Sequence, residues 1–372
     1  MKLGIVLIFC MTWLSSCRDP YQPPTVLAQS NLLVVDAFLD GTDQSCSVVL
    51  SRSQNVSDSK ARPMEKNATV QLQDSEGNAY LLKETSDGKY SVSNIIIDTQ
   101  MKYQLSIKTE AGKSYLSSQV EIRNTPPIDD VTWKATDQGL QFYVSTHDDQ
   151  KKSNYYQYRF VETWEYVAAY PSSYEFRGGV PVPRFTDIYR CWITRPSSAI
   201  SIATSIKLSE DIISDFPFYL IARPSQKYLI RYSILVKQNV LTAEAYNYWQ
   251  QLQKNTEKIG TLFDPQPSQI LSNVQNVDDQ NEPVLGYFDA GITTEKRIFV
   301  SYSELPRNWY FSNTQCQADT VVNAQLGAHL GDILISGLYK GSSTIPYGYL
   351  YTNVTCGDCR ASGGTTMKPD FW

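Results

Sequence analysis

Cys356 and Cys359 form a C-x-x-C pair in the C-terminal sequence TCGDCRASGGTTMKPDFW. That spacing occurs in redox centres, in zinc sites and in pairs of cysteines that form structural disulfides. A redox pair needs a following helix that lowers the pKa of its thiol, whereas Gly363, Gly364 and Pro369 would interrupt a helix here. A zinc site needs four thiolate or imidazole ligands, and no histidine motif lies near the pair. The pair is therefore predicted to anchor disulfides.

The other cysteines have different expected roles. Cys46 lies in an alternating strand pattern and is predicted to be a buried free thiol, which packs as a small hydrophobe. Cys10 leaves with a leader peptide, and Cys17 follows that leader. An even set remains for an oxidising compartment: Cys191, Cys316, Cys356 and Cys359. Four cysteines permit three pairings, and we favour the one in which Cys191 and Cys316 each bond one member of the C-x-x-C pair.

The leader indicates the compartment. Residues 1–16 contain Lys2 and then an apolar stretch, which is shorter than the roughly 20 residues needed to cross a bilayer but suits a signal peptide. The LSSC sequence at 14–17 resembles a bacterial lipobox, whose cysteine is lipidated. The alternative is an ordinary signal peptide with an unrelated cysteine. More than one acyl chain, such as palmitate, on Cys17 would anchor the protein stably, with 17–29 as a proline-containing tether.

Composition favours a β-rich protein with no affinity for nucleic acid. The chain has 372 residues, enough for two or three domains, and a net charge of −5. An acidic balance argues against binding to nucleic acid or to anionic lipid. Aromatic and β-branched residues stand in short runs between Gly, Asn, Asp and Ser, as in antiparallel sandwiches. The 25 tyrosines fit either sheet packing or a protein-binding surface.

Residues 30–125 are predicted to form an N-terminal β-sandwich of the immunoglobulin-like or Greek-key type. Apolar residues alternate along NLLVVDAFLD and CSVVLSR, which predicts strands. ATVQLQDSEGNAYLLKE and KYQLSIKTEAGKSYLSSQVEI each place turn residues between two alternating runs, which predicts hairpins. About seven strands of this spacing are typical of such sandwiches. Pro126 and Pro127 mark the boundary, because proline cannot continue a ladder.

Residues 126–372 are predicted to form a larger β-rich domain with one amphipathic helix and a disulfide-stapled C-terminal tail. The helix is expected near 242–258, with Thr242 as its cap. Residues 171–190 show no apolar period and are predicted to be a long loop, of a kind that is usually functional or mobile. The C-terminal tail also shows little periodicity and is expected to wrap around this domain.

Other patterns that could carry chemistry are weak. The sequence contains no G-x-S-x-G elbow, H-E-x-x-H motif or P-loop. Its two histidines, His147 and His329, stand in loop sequences, where solvated side chains are commoner than catalytic ones. The acidic runs at 147–150 and 276–282 lack the spacing of an EF-hand loop. We therefore predict no catalytic residue, no metal site and no cofactor. A hydrolase site assembled only in space is a third alternative.

Several segments occur in a characteristic order: LLVVDAFLD, VVLSRS, YYQYRFVETWEY, CWIT, VLGYFDAG and CGDCRASGGTTMKPDFW. With the lipobox before them, they resemble a family of Bacteroidota outer-membrane lipoproteins known only as a domain of unknown function (family four-two-four-nine). Members of that family are typically encoded beside TonB-dependent transporters, so the resemblance implies a partner of that kind. It implies no catalytic residues. Display at the cell surface is expected, with the periplasmic face as the alternative.

The expected function is that of a non-enzymatic accessory or ligand-capture subunit of a TonB-dependent transporter. The candidate partner-binding residues are aromatic side chains in segments predicted to be irregular: Tyr174, Phe176, Phe185 and Phe263. The alternative is a surface adhesion or structural lipoprotein built from β-sandwich domains.

Overall fold

The computed structural model describes residues 31–54, 61–257, 272–309 and 315–372. It is mostly β, as predicted. In chain order the strands are β1 (Leu33–Asp40), β2 (Ser45–Arg52), β3 (Thr69–Asp74), β4 (Ala79–Ser86), β5 (Lys89–Ser93), β6 (Lys102–Lys108), β7 (Ser114–Ser117), β8 (Val120–Glu121), β9 (Ile128–Ala135), β10 (Gly139–His147), β11 (Tyr155–Val167), β12 (Tyr174–Arg177), β13 (Val180–Pro183), β14 (Arg190–Pro196), β15 (Ser201–Thr204), β16 (Ile212–Ala222), β17 (Arg231–Val240), β18 (Val274–Asn276), β19 (Leu285–Gly291), β20 (Thr294–Ser301), β21 (Asp319–Val322), β22 (Ile333–Leu338) and β23 (Gly348–Thr352). The α-helices are α1 (Ala243–Glu257) and α2 (Val354–Gly357).

The N-terminal strands form a 10-stranded sheet in the order β18-β7-β6-β3-β4-β5-β2-β1-β19, with β8 beside β6. Alternate residues of β2 face its core, among them Cys46, Val48 and Leu50. β19 pairs in parallel with β1 and places Gly286 against Val35. A β-carbon on Gly286 would lie 1.8 Å from the Val35 carbonyl oxygen, so this approach requires glycine. The sheet therefore includes strands from 274–291 as well as those within 30–125.

The middle of the chain folds into two sheets that share one core. One has the order β16-β10-β9, and the other the order β14-β11-β17-β20 with β15 beside β11. Phe142 of β10 and Tyr232 of β17 have ring centroids 5.6 Å apart. Glu162 of β11 is buried there but accepts from the Lys227 ammonium at 2.6 Å and from the Tyr219 hydroxyl at 3.1 Å. This carboxylate is thus compensated by its partners.

Helix α1 lies against both the N-terminal 10-stranded sheet and the middle sheets. The Thr242 hydroxyl accepts from the Ala245 amide at 3.0 Å, which confirms the predicted cap. Tyr248 of α1 packs against Tyr287 of β19, with ring centroids 5.2 Å apart. The helix at 243–257 agrees with the predicted 242–258. Within the described residues, no helix is long and apolar enough to cross a membrane.

The C-terminal strands form a small sheet in the order β13-β12-β22-β23-β21. The prediction of an irregular loop over 171–190 is wrong for its middle, where β12 and β13 form a hairpin. Gly178 (φ +58°) and Gly179 (φ +82°) make the turn between them. Each strand has only four residues, too few for an alternating pattern to be visible in the sequence.

Candidate functional site

Two disulfides fasten the C-terminal region, and they have the pairing that we favoured. Cys191 of β14 bonds Cys359, and Cys316 bonds Cys356. The C-x-x-C pair is therefore a structural anchor whose two sulfurs bond different parts of the chain. Cys46 is buried and free, as predicted. Burial raises the pKa of its thiol to about 12, which keeps it protonated and unreactive.

The residues around the C-x-x-C pair hold it in position. The Asn353 side chain accepts from the Cys356 amide at 3.0 Å and caps the short helix α2. Asp358 accepts from the Arg360 guanidinium at 2.7 Å, and this ion pair lowers the pKa of the Asp358 carboxyl. A β-carbon on Gly364 would lie 2.6 Å from the Tyr166 hydroxyl, so the tail approaches β11 closely because this residue is glycine.

The last residues of the chain lie on the outer face of β17 and β20. The Trp372 indole donates to Glu165 at 3.1 Å. The Arg297 guanidinium lies 3.6 Å from the centroid of the Phe371 ring, and the Arg231 guanidinium 5.4 Å from that of Trp372. Such cation–π contacts stabilise by about 0.5–1 kcal/mol each at exposed sites. The C-terminal tail thus packs against the middle sheet that contains β17 and β20. Three segments of this tail form the strands β21, β22 and β23.

The predicted aromatic residues differ in their burial. Phe176 packs onto the small core formed by Val321, Leu326, Leu334 and Tyr349, and so does the ring of Tyr174. Phe185 is 85% exposed. Phe263 and the lipidation candidate Cys17 lie outside the described residues. The structure therefore places Tyr174, Phe176 and Phe185 in or beside one hairpin.

The hairpin contacts the segment after β22, and both segments carry exposed apolar side chains. The backbone amide of Arg184 donates to Ser173 at 2.9 Å, so the chain leading to Phe185 runs beside the start of β12. The Tyr174 hydroxyl lies 2.6 Å from that of Tyr339. Beyond Tyr339, Ile345 is 76% exposed and Tyr347 is also exposed. We call this surface the aromatic end, defined by Tyr174, Phe185, Tyr339, Ile345 and Tyr347.

Sequence reasoning missed part of the aromatic end. Tyr339, Ile345 and Tyr347 belong to the segment LYKGSSTIPYGY, which has no strand or helix period. The sequence signal that could have identified these residues is the presence of aromatic side chains within a turn that contains Gly, Ser and Pro. Lys340 covers one face of the Tyr347 ring at 4.8 Å.

Each of the two histidines lies within hydrogen-bond distance of an aspartate. His147 Nδ1 lies 2.7 Å from Asp129, whose hydrogen bond raises the pKa of the imidazole. His147 also lines a cavity of about 530 Å³ between β10 and the 123–127 segment. His329 Nδ1 lies 2.9 Å from Asp332. In the described part of the chain, no three His, Cys, Asp or Glu side chains are grouped so that they could hold a metal ion.

In the acidic run beside His147, the Asp148 carboxylate accepts hydrogen bonds from its own loop. The Asp148 carboxylate accepts from the Ser153 hydroxyl at 2.7 Å and from the backbone amides of Gln150, Lys152 and Ser153. Burial alone would raise the pKa of the Asp148 carboxyl, but these donors together outweigh it and hold the pKa below its usual value. In the second run, Asp278 accepts from the Ser114 amide at 3.2 Å. The contacts of Asp148 and Asp278 are those of loop-forming carboxylates.

Comparison with protein families gives one match. A family model described as Domain of unknown function (DUF4249) matches residues 18–297. The matched range begins directly after Cys17 and ends within β20, before the C-terminal sheet strands β21–β23 and the C-x-x-C pair. Comparison with curated proteins finds no match to this chain.

Proposed function

The chain belongs to the family described as Domain of unknown function (DUF4249), and on that premise we propose that it is a non-enzymatic lipoprotein of the outer membrane in a member of the Bacteroidota. We propose that it serves as an accessory or ligand-capture subunit of a TonB-dependent transporter. The lipobox at 14–17 supports the lipid anchor, and the segments that resemble Bacteroidota lipoproteins support the transporter as partner. Surface display remains the favoured orientation.

The observation that carries the proposal is the aromatic end of the C-terminal sheet. Protein interfaces are enriched in aromatic residues at their cores, and tyrosine is among the residues that dominate their binding energy. Phe185 is 85% exposed and Ile345 is 76% exposed, and the contact between Tyr174 and Tyr339 joins the two segments that carry them. Where exposed apolar side chains of a folded domain form one patch, they commonly mark a site for another protein. The aromatic end is therefore the proposed contact with the transporter.

Strand pairing, a hydrogen bond and a disulfide order the aromatic end before it binds a partner. The hairpin β12–β13 joins β22 through the Tyr174–Leu334 pair. The Ser172 hydroxyl donates to the Leu334 carbonyl at 2.8 Å. Disulfide Cys316–Cys356 closes the same part of the chain. A surface that is already ordered loses less conformational entropy on binding.

The length of the tether limits how far from the lipid surface the protein can bind a partner. The 13 residues 17–29 could bridge at most roughly 45 Å if fully extended, at about 3.3–3.6 Å per residue. The folded body consequently stays within a few tens of ångströms of the lipid surface. A membrane-embedded transporter presents its outer loops within that distance.

Affinity purification tests this proposal. A tagged full-length copy, expressed at its natural level, would be purified from detergent-solubilised native outer membranes, and its companions identified by mass spectrometry. Stoichiometric recovery of a TonB-dependent transporter supports the proposal. Recovery of the protein alone contradicts it and favours the adhesion or structural alternative, which binding of whole cells to glycan or host surfaces would then test.

A further inference from the structure

A second pocket, of about 250 Å³, lies where the start of α1 meets the N-terminal sheet. We call it the junction pocket. Its side chains come from three places in the chain: the β8 region, the start of α1 and strand β19. Those that matter here are Glu121, Arg123, Thr242, Glu244, Tyr287 and Asp289.

Asp289 is the unusual member of this group. It is 6% exposed, and its Oδ1 accepts from the Ala290 amide at 2.9 Å. Its Oδ2 is buried and has no hydrogen-bond partner among the described residues. Other buried carboxylates of this protein are paired: Asp211 accepts from the Tyr156 hydroxyl at 2.9 Å and from the Asn154 amide at 3.0 Å. A buried acceptor without a donor destabilises the fold, so Oδ2 is poised for a donor from outside the chain.

A buried donor without a partner lines the same pocket. Within the described residues, the Nε–H of Arg123 makes no hydrogen bond, although an arginine next to an aspartate commonly forms a paired salt bridge. The second cation that faces Asp289 is Arg159, whose guanidinium lies 5.3 Å from the Phe38 ring centroid. Within the described part of the chain, Asp289 Oδ2 and Arg123 Nε are thus an unused acceptor and an unused donor on two residues that line one pocket.

The carboxylates of the pocket, above all Asp289 with an Oδ2 that is unpaired among the described residues, can accept from a ligand with a positive group. Its lining carries the carboxylates of Asp289, Glu121 and Glu244 and the guanidinium of Arg123. Glu121 and Glu244 are exposed, and Glu121 accepts from the Lys102 ammonium at 2.8 Å. A helix N-terminus by itself attracts anions. Here Glu244 stands in the first turn of α1, and Thr242 already caps it. A cation with a neighbouring acceptor matches this arrangement better than an anion does.

We infer that the junction pocket binds a small molecule that carries a protonated primary amine beside an oxygen acceptor, the chemistry shared by free α-amino acids and peptide N-termini. The ammonium group donates to Asp289 Oδ2, and the carboxylate or carbonyl oxygen accepts from Arg123 Nε. Because both atoms are buried, binding requires the half-buried Arg123 side chain to turn towards the ligand. A volume of about 250 Å³ lies below that of sites for drug-sized ligands, which restricts the bound part to a few heavy atoms. The inference is independent of the proposed transporter partner, because it concerns this chain alone.

Calorimetric titration of the detergent-solubilised full-length chain tests the inference. The probes are glycine, triglycine, N-acetylglycine and methylammonium. Glycine or triglycine should bind, and N-acetylglycine, which lacks the ammonium group, should not. Binding of glycine alone identifies free amino acids as the ligand class, and binding of triglycine alone identifies peptide N-termini. No binding of either one, or equal binding of N-acetylglycine, overturns the inference.

Two substitutions assign the contacts. Asp289→Asn should weaken the binding of glycine or triglycine by about tenfold or more. Arg123→Gln should weaken it too but leave any methylammonium binding unchanged, because that probe has no oxygen. The matched control is Asp211→Asn, which alters a buried, fully paired carboxylate elsewhere and should not change the affinity. Thermal melting identifies variants that fold, and unchanged affinity in folded Asp289→Asn protein would contradict the proposed contact.

Discussion

The hydroxyl of Tyr174 lies 2.6 Å from the hydroxyl of Tyr339, a residue 165 positions later in the chain. This contact joins the β12–β13 hairpin to the segment that follows β22. The hydrogen bond to Tyr339 is the main reason why the pKa of Tyr174 is raised to about 12, with a further contribution from burial. Two segments without a visible sequence pattern thereby form one surface.

Removing either hydroxyl should weaken that junction without unfolding the protein. Tyr174→Phe and Tyr339→Phe should each lower the free energy of unfolding by about 0.5 kcal/mol, because a hydrogen bond that is partly exposed to water contributes at the low end of the usual range. In a double-mutant cycle measured by chemical denaturation, the double variant should lose little more than either single one. Fully additive losses would show that the two hydroxyls do not interact. Tyr302→Phe, at an exposed tyrosine, is the control.

The disulfide Cys316–Cys356 should contribute substantially to stability. It closes a loop with a sequence separation of 40, for which the chain-entropy account gives about 3–4 kcal/mol. The double variant Cys316→Ser with Cys356→Ser should therefore unfold at a lower denaturant concentration. Reductant should bring the wild-type protein to a similar or lower midpoint. An unchanged midpoint in the double variant would mean that this bond does not stabilise the fold.

Stability should depend on pH through Asp289. Burial raises the pKa of its carboxyl from 3.8 to about 6, opposed by the charges of Arg159 and Arg123. Above pH 6 the folded protein therefore holds a desolvated charge, at a cost on the order of 3 kcal/mol by the conversion of pKa into free energy. As the pH falls from 6 towards 3.8, the folded state binds a proton that the unfolded state does not, and the cost disappears.

The measurement is denaturant unfolding of wild type and Asp289→Asn at several pH values. The variant should be the more stable protein at pH 8, and its advantage should shrink towards pH 4. A constant difference across this range would contradict the assignment to Asp289. Asp211→Asn provides a contrast, since removing a carboxylate that has several donors should destabilise the protein at neutral pH.

Lipid anchoring should depend on Cys17 alone. Cys17→Ser removes the thiol that the lipobox would present for acylation, so the protein should lose its membrane association. Fractionation and incorporation of labelled palmitate measure this change. Cys10→Ser, in the leader, is the control and should remain anchored. If the Cys17→Ser protein stayed in the membrane fraction and still incorporated as much labelled palmitate as wild type, lipidation at this position would be contradicted.

Local sequence patterns predicted the elements that short-range physics controls. The alternation of Cys46, Val48 and Leu50 identified β2 and its buried face, and the cap at Thr242 located α1. Pairings between distant segments left no such pattern. The sequence did not predict that β19 would lie in parallel with β1, because register across more than two hundred residues depends on the whole sheet.

The same reason explains the pockets and surfaces that sequence reasoning missed. Arg123 lines the same pocket as Asp289 because its backbone pairs with Gly291 of β19. Neither residue belongs to a motif, and Asp289 stands in an ordinary strand sequence, VLGYFDAG. The disulfides were predictable in part, since the number and compartment of the cysteines restricted the pairings to three.

The aromatic end is the central claim, and a comparative purification tests it most directly. Tagged wild type, a Phe185→Ala/Ile345→Ala variant and an Ile96→Ala variant would be purified in parallel from solubilised native outer membranes. Ile96, 82% exposed on the N-terminal part of the fold, is the matched control for the loss of an exposed apolar side chain. We predict that the double variant, folded by thermal melting, recovers about tenfold less TonB-dependent transporter than wild type, since losing two interface side chains costs more than about 1.4 kcal/mol. Equal recovery by all three proteins would contradict the claim that this surface binds the transporter.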